Sequence, residues 1–174
     1  MKQDFFYVNN IHKIFIKNLS DYINKPNLKF LEIGSHSGSS ASGTLNTILT
    51  DLSCTITCVD HWVDNESEDF FDSIVEFYSP RIIKVKSDSI KWLQENQDQR
   101  FDFIYIDGDH SASGIEADTR LSWPMLKVGG VMALDDVLVN DETKEANNVF
   151  IESVKDKSII IENGYQVWLR KTKE

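Results

Sequence analysis

The sequence predicts an α/β fold built on a doubly wound parallel sheet, and three observations carry that expectation. Short apolar runs alternate with helix-length polar segments along the chain, the pattern of strand–helix units laid on one sheet. Two of those runs, Phe101-Asp102-Phe103-Ile104-Tyr105-Ile106 and Val131-Met132-Ala133-Leu134, are almost continuously apolar, as strands covered on both faces must be. Near the carboxyl end, Asn163-Gly164 lies between two β-rich runs, a strong short-range hairpin signal. Together they describe a doubly wound sheet that ends in an antiparallel strand pair.

Ile11, Ile14, Phe15, Leu19 and Ile23 recur at helical spacing before Pro26, which makes residues 1–26 a helical amino-terminal segment covering the sheet. Strands are expected at 29–33, 55–59, 82–85, 101–106 and 131–134. A helix follows around 142–155, and the hairpin joins 159–161 to 165–169. No repeat, low-complexity tract or Pro/Gly/Ser-rich linker divides the 174 residues, so 1–174 reads as a single domain whose core needs no disulfide or metal. Cys54 and Cys58, the only cysteines, point to one face of a strand too far apart to bond, and read as packing residues.

Asp and Glu outnumber Lys and Arg by 28 to 18, for a net charge of −10. That field repels nucleic-acid backbones and anionic lipid surfaces. No apolar run approaches the ~18 residues of a membrane helix, and Asp4 follows Lys2 too closely for a secretory signal, so the expectation is a cytoplasmic protein with no nucleic-acid or membrane partner. Asp60, Asp64, Glu66, Glu68, Asp69, Asp72 and Glu76 form a stretch without Lys or Arg. It reads as a solvated helix face, or more sharply as a lid against anionic substrates.

Ligands of such sheets bind beyond the carboxyl ends of the strands, and here those ends are acidic: Glu32, Asp60, Asp107 and Asp135-Asp136. After Glu32 comes Gly34-Ser35-His36-Ser37-Gly38-Ser39-Ser40, a strand-to-helix loop whose glycines let backbone approach a ligand. His36 stands where a dinucleotide fingerprint has its second glycine, which argues against a pyrophosphate. The amino end of the helix after Gly38 offers free N–H groups to a carboxylate. Asp60, one strand–helix unit later, is placed to accept ribose hydroxyls.

The loop, Asp60 and the strand end Asp107-Gly108-Asp109-His110, followed by Trp123-Pro124-Met125-Leu126-Lys127-Val128-Gly129-Gly130, resemble class I S-adenosylmethionine-dependent methyltransferases. The similarity covers about residues 28–170. It is nearest to the small metal-dependent O-methyltransferases of the catechol type and related bacterial enzymes. The resemblance implies that S-adenosylmethionine lies along Glu32, Gly34, Ser35, His36, Gly38 and Ser40. Asp60 would hold the ribose beside His61, Asp88 and Ser89 the adenine side, and Asp107 would border both cofactor and acceptor. It implies a Rossmann-like sheet of strand order 3-2-1-4-5 with a carboxyl-terminal antiparallel strand pair, and methyl transfer to a hydroxyl of a small-molecule acceptor.

Strands four and five, as parallel neighbours ~5 Å apart, bring Asp107, Asp135 and Asp136 together. Charges that close require a proton or a divalent cation such as Mg²⁺, Mn²⁺ or Ca²⁺ among them; solvated aspartates without metal are the alternative. In the catechol type the matching positions bind metal, although Asp-Asn is common where this chain has Asp135-Asp136, and lysine stands at His110. Of His12, His36, His61 and His110, only His110 adjoins the proposed cluster, and it is the candidate general base with Asp107 as its catalytic neighbour and Asp109 as substitute. Trp62 could stack on the nucleoside or pack the core, and Trp123 reads as packing. The rival readings are a non-catalytic nucleoside-binding subunit and an NAD-dependent oxidoreductase. The short amino-terminal segment suggests an acceptor site that is open or completed by another copy in a homo-oligomer.

Overall fold

The computed structural model describes residues 12–174. A helix through residues 12–19, α1, leads by a 3-10 turn, Ser20–Tyr22, to β1, Lys29–Ile33. Then come α2 (Ser39–Thr47), β2 (Thr55–Asp60), α3 (Asn65–Tyr78), β3 (Ile82–Lys86), α4 (Ser89–Glu95), β4 (Phe101–Ile106), α5 (Ala112–Ser122), β5 (Leu126–Leu134), α6 (Asp141–Val154), β6 (Ser158–Asn163) and β7 (Val167–Lys171). The seven strands form one sheet in the order β3-β2-β1-β4-β5-β7-β6. The first five are parallel and β7 runs antiparallel to both of its neighbours, as expected.

Alternation of side chains across the pleat builds two cores. Phe30, Phe103, Tyr105 and Trp168 face α1, where Phe15 meets the last three edge-on with ring centroids 5.1–5.7 Å away. Leu31, Ile104, Met132 and Leu134 face the other way, toward Trp123 and Phe150. Trp123 therefore packs, as read from sequence. Ile11 lies outside the described residues, and Ile23 lies beyond the helix, because the chain turns at Asn24, whose φ is +65°.

Two boundaries differ from the sequence expectation. Strand β5 begins at Leu126 rather than 131, with an irregular register opposite Phe101–Phe103, so that Gly129-Gly130 lies within the strand. The hairpin turn is longer than two residues: Asn163 pairs with Val167, and residues 164–166 connect them. Both cysteines are free and buried. Among the described residues no helix is long and apolar enough to cross a membrane.

Candidate active site

The carboxyl ends of β1, β2, β3 and β4 open into a cleft of about 770 Å³, lined by Gly34, His36, Asp60, Asp88, Ser89 and Asp107 among others. Gly34 has φ +86°, and a Cβ on it would stand 2.0 Å from the Asp107 carbonyl oxygen. Only glycine lets β1 leave the sheet so close to β4. At the other side of the loop, α2 starts with no side-chain cap, so its first-turn N–H groups are available to an anion. A second hollow of about 920 Å³ lies between α5 and α6, around Trp123 and Phe150. It holds none of the predicted site residues.

Asp60 governs the loop geometry. Its Oδ2 accepts the His36 N–H and its Oδ1 the Trp62 N–H, each at 2.8 Å. The Trp62 indole N–H donates to the His36 carbonyl at 2.7 Å. These bonds hold His36 and Trp62 at φ +44° and +39°, a conformation that costs a non-glycine residue energy unless its surroundings enforce it. Trp62 is 3% exposed and packs on Phe71, ring centroids 4.7 Å apart, and it also lines the cleft. His61 stays exposed at the rim, its Nδ1 3.7 Å from Asp60.

Glu32, Ser35 and Ser40 lie beneath the cleft. Glu32 is 1% exposed and accepts from the hydroxyls of Ser35 and Ser40 and from the Cys58 thiol, which ties β1 to the first turn of α2. Burial raises the Glu32 carboxyl from its ordinary 4.5 to about 7, opposed by the hydroxyl and thiol bonds. Burial also raises the Cys58 thiol. Glu32 thus contributes stability that is fully present below pH 4.5 and is lost as pH rises through about 7, an effect of about 3 kcal/mol. Glu32→Gln is expected to lack that loss. In urea unfolding, the variant should gain on the parent between pH 4.5 and 7.5, and a pH-independent difference would contradict the assignment.

The adenine-side candidates border the cleft at α4. Asp88 caps that helix by accepting the Lys91 N–H at 2.8 Å. The Ser89 hydroxyl donates to Asp118 of α5 at 2.7 Å. Gly38 caps α2 at φ +80°. The acidic stretch is a helix face: Asp64 caps α3, while Glu68 and Asp72 pair with Lys84 at 2.8 and 2.5 Å, Glu68 also meeting Lys86.

Beyond β4 and β5 the chain gathers Asp107, His110 and Asp136, each offering a ligand atom within 4.8 Å of the others. His110 Nε2 lies 3.4 Å from Asp136 Oδ2 and 3.8 Å from Asp107 Oδ1. The Thr143 hydroxyl of α6 holds the His110 carbonyl at 3.0 Å. Asp109, the substitute base, is turned to Ser111, accepting its N–H at 2.9 Å and its hydroxyl at 2.8 Å. Asp135 does not join the cluster. It is 4% exposed, accepts the Tyr105 hydroxyl, and takes the Asp136 N–H on Oδ1 at 2.8 Å. Successive residues of an extended strand point apart, and Asp136 reaches the cluster through a left-handed backbone, φ +52°.

The electrostatics suit a cation. Burial, then the charges of Asp135, Glu32 and Asp136, raise the Asp107 carboxyl to about 9, and burial raises Asp135. Among the described residues, Asp136 Oδ1 is buried with no hydrogen-bond partner, and no Lys or Arg lines the cleft. Two carboxylates, an imidazole and an unused buried lone pair fit a divalent ion. Asp118, in mid-helix and without a motif around it, carried no signal in the sequence.

A protein-family profile described as a methyltransferase domain matches residues 31–137. No curated protein resembles the chain in sequence. Among solved structures, the S-adenosylhomocysteine-bound methyltransferase PaMTH1 of Podospora anserina aligns with a TM-score of 0.69 and 14% identity over 96% of this chain and 78% of that one. CalS11, a TDP-rhamnose 3'-O-methyltransferase of calicheamicin biosynthesis, gives 0.69 and 14% over 98% and 80%. MycE, a methyltransferase of mycinamycin biosynthesis in complex with Mg and S-adenosylhomocysteine, gives 0.71 and 15% over 92% of this chain but 49% of its own. At these identities the likeness is one of fold.

Proposed function

The chain belongs to the methyltransferase-domain family, and from that premise we propose that it transfers a methyl group from S-adenosylmethionine to a hydroxyl of a small-molecule acceptor, with a divalent cation held by Asp107 and Asp136. The observation that carries this reading is the meeting of Asp107, His110 and Asp136 within 4.8 Å at the edge of the cleft that Asp60 organises. In the cleft, the α2 amino end takes the methionyl carboxylate, and Asp60, with a second lone pair on each oxygen, accepts the ribose hydroxyls. Asp88 and Ser89 border the base.

A bound divalent ion supplies the Lewis acidity that lowers the pKa of an acceptor hydroxyl. The chain's own residues do the rest. Asp107 and Asp136 orient the acceptor oxygen toward the methyl donor, and proximity lowers the barrier. Asp135, fixed by Tyr105, holds the Asp136 backbone in place through its N–H. His110 Nε2 takes the acceptor proton. Leu138 and Val139, both exposed just past Asp136, give the acceptor side an apolar border.

A second reading follows from the same 4.8 Å grouping: His110 is the third metal ligand and water or Asp109 takes the proton. One variant separates them. If His110 is the base, His110→Ala should slow single-turnover methyl transfer by about 10²–10⁴-fold while leaving affinity for S-adenosylhomocysteine and Mn²⁺ near the parent's. Loss of Mn²⁺ affinity makes it a ligand. Parent-like rates would remove it from both roles.

A further inference from the structure

The cleft's base end, away from α2, is bordered by Asp88, Ser89, Gly108 and Asp109. A serine hydroxyl has one proton and two lone pairs. That of Ser89 gives its proton to Asp118 Oδ1 at 2.7 Å, which leaves lone pairs for anything bound in the cleft. Asp118 reaches this spot from α5, is 1% exposed, and lies directly under the cleft floor: its Oδ2 is 3.2 Å from where a Cβ on Gly108 would stand. That oxygen has no hydrogen-bond partner among the described residues. If the Ser89–Asp118 bond served only to clip α4 to α5, a neutral acceptor would serve as well, without the cost of a buried, half-unpaired carboxyl. A carboxylate adds one property, because it can only accept and so cannot return the proton to Ser89. Asp88 and Asp109, the neighbouring side chains, are acceptors too.

We propose that Asp118 is a positioning residue for cofactor specificity: it fixes Ser89 as an acceptor, so that the cleft takes a purine bearing a 6-amino group and rejects the 6-oxo counterpart. This rests on the nucleoside reading of the cleft given above. A 6-amino group donates to Ser89; a 6-oxo group meets lone pair against lone pair.

The test is calorimetry at pH 8, where the Asp118 carboxyl, raised by burial to about 6, carries no proton. The probes are S-adenosylhomocysteine and its 6-oxo analogue, S-inosylhomocysteine. The parent should prefer the amino ligand roughly 100-fold. Asp118→Ala frees the Ser89 hydroxyl to turn and donate, so the oxo ligand should bind about tenfold tighter than it does to the parent. Asp118→Asn, whose amide can turn its NH₂ as well as its oxygen to Ser89, should bind the oxo ligand more tightly than the parent, though less so than Asp118→Ala. Ser89→Ala should weaken the amino ligand alone. A gain in affinity is what a merely structural role cannot produce. Equal weakening of both ligands in Asp118→Ala, or a parent that binds the two alike, overturns the proposal while leaving the nucleoside reading intact. A parent that binds neither ligand overturns that reading and the proposal with it. Should Asp118→Ala not fold, Asp118→Asn decides: an oxo ligand bound no more tightly than by the parent overturns the proposal.

Discussion

Replacing Asp60 by alanine is expected to abolish useful cofactor binding. Two charge-assisted hydrogen bonds to ribose hydroxyls would be lost, each worth roughly 1.5–3 kcal/mol, which alone lowers affinity by about 10²–10⁴-fold. The structure adds a second loss. The same carboxylate holds the N–H groups of His36 and Trp62 at 2.8 Å, and both residues sit at positive φ, so without Asp60 only the Trp62 indole bond to the His36 carbonyl is left to tie the two together. Asp60→Asn, which keeps one oxygen, should fall between parent and alanine. Calorimetry with S-adenosylhomocysteine measures this, with circular dichroism to show that the variants fold. An unchanged affinity in Asp60→Ala would remove Asp60 from the site.

Exhaustive chelation is the second large effect. Without a cation, burial and the surrounding acids hold a proton on Asp107, whose carboxyl is raised to about 9, and the acceptor hydroxyl keeps its ordinary pKa. Turnover, followed as S-adenosylhomocysteine release with a panel of hydroxyl acceptors, should fall by about 10³-fold or more. Added Mg²⁺ or Mn²⁺ should restore it. Asp107→Asn should reproduce the chelated rate in the presence of metal. Activity that survives both treatments would make the cluster a solvated group of strand-end acids.

Much of this was legible beforehand for physical reasons. Buried parallel strands need continuous apolar runs, which makes 101–106 and 131–134 legible, whereas the strand order comes with the family resemblance. That Asp60 and Asp107 border the cleft is legible because a strand end is a fixed place on such a sheet. What escaped depended on single backbone angles or on neighbours distant in sequence. Asp135 and Asp136 are adjacent, and which of them meets Asp107 is decided by φ +52° at Asp136 and by the Tyr105 hydroxyl. Gly129-Gly130 carries turn chemistry yet lies within β5. The Ser40 hydroxyl donates to Glu32, a contact that exists only once α2 is laid on β1. The acidic stretch looked free because its cations, Lys84 and Lys86, come from the next strand.

The most direct test of the metal-assisted account does not require the acceptor. Mn²⁺ titrated calorimetrically into the S-adenosylhomocysteine complex is expected to bind once per chain, and Asp136→Asn, which removes a charge beside Asp107 while leaving the fold, should weaken that binding by at least about tenfold. Absence of Mn²⁺ binding to the parent, or an Asp136→Asn variant that binds it as tightly, would contradict the account.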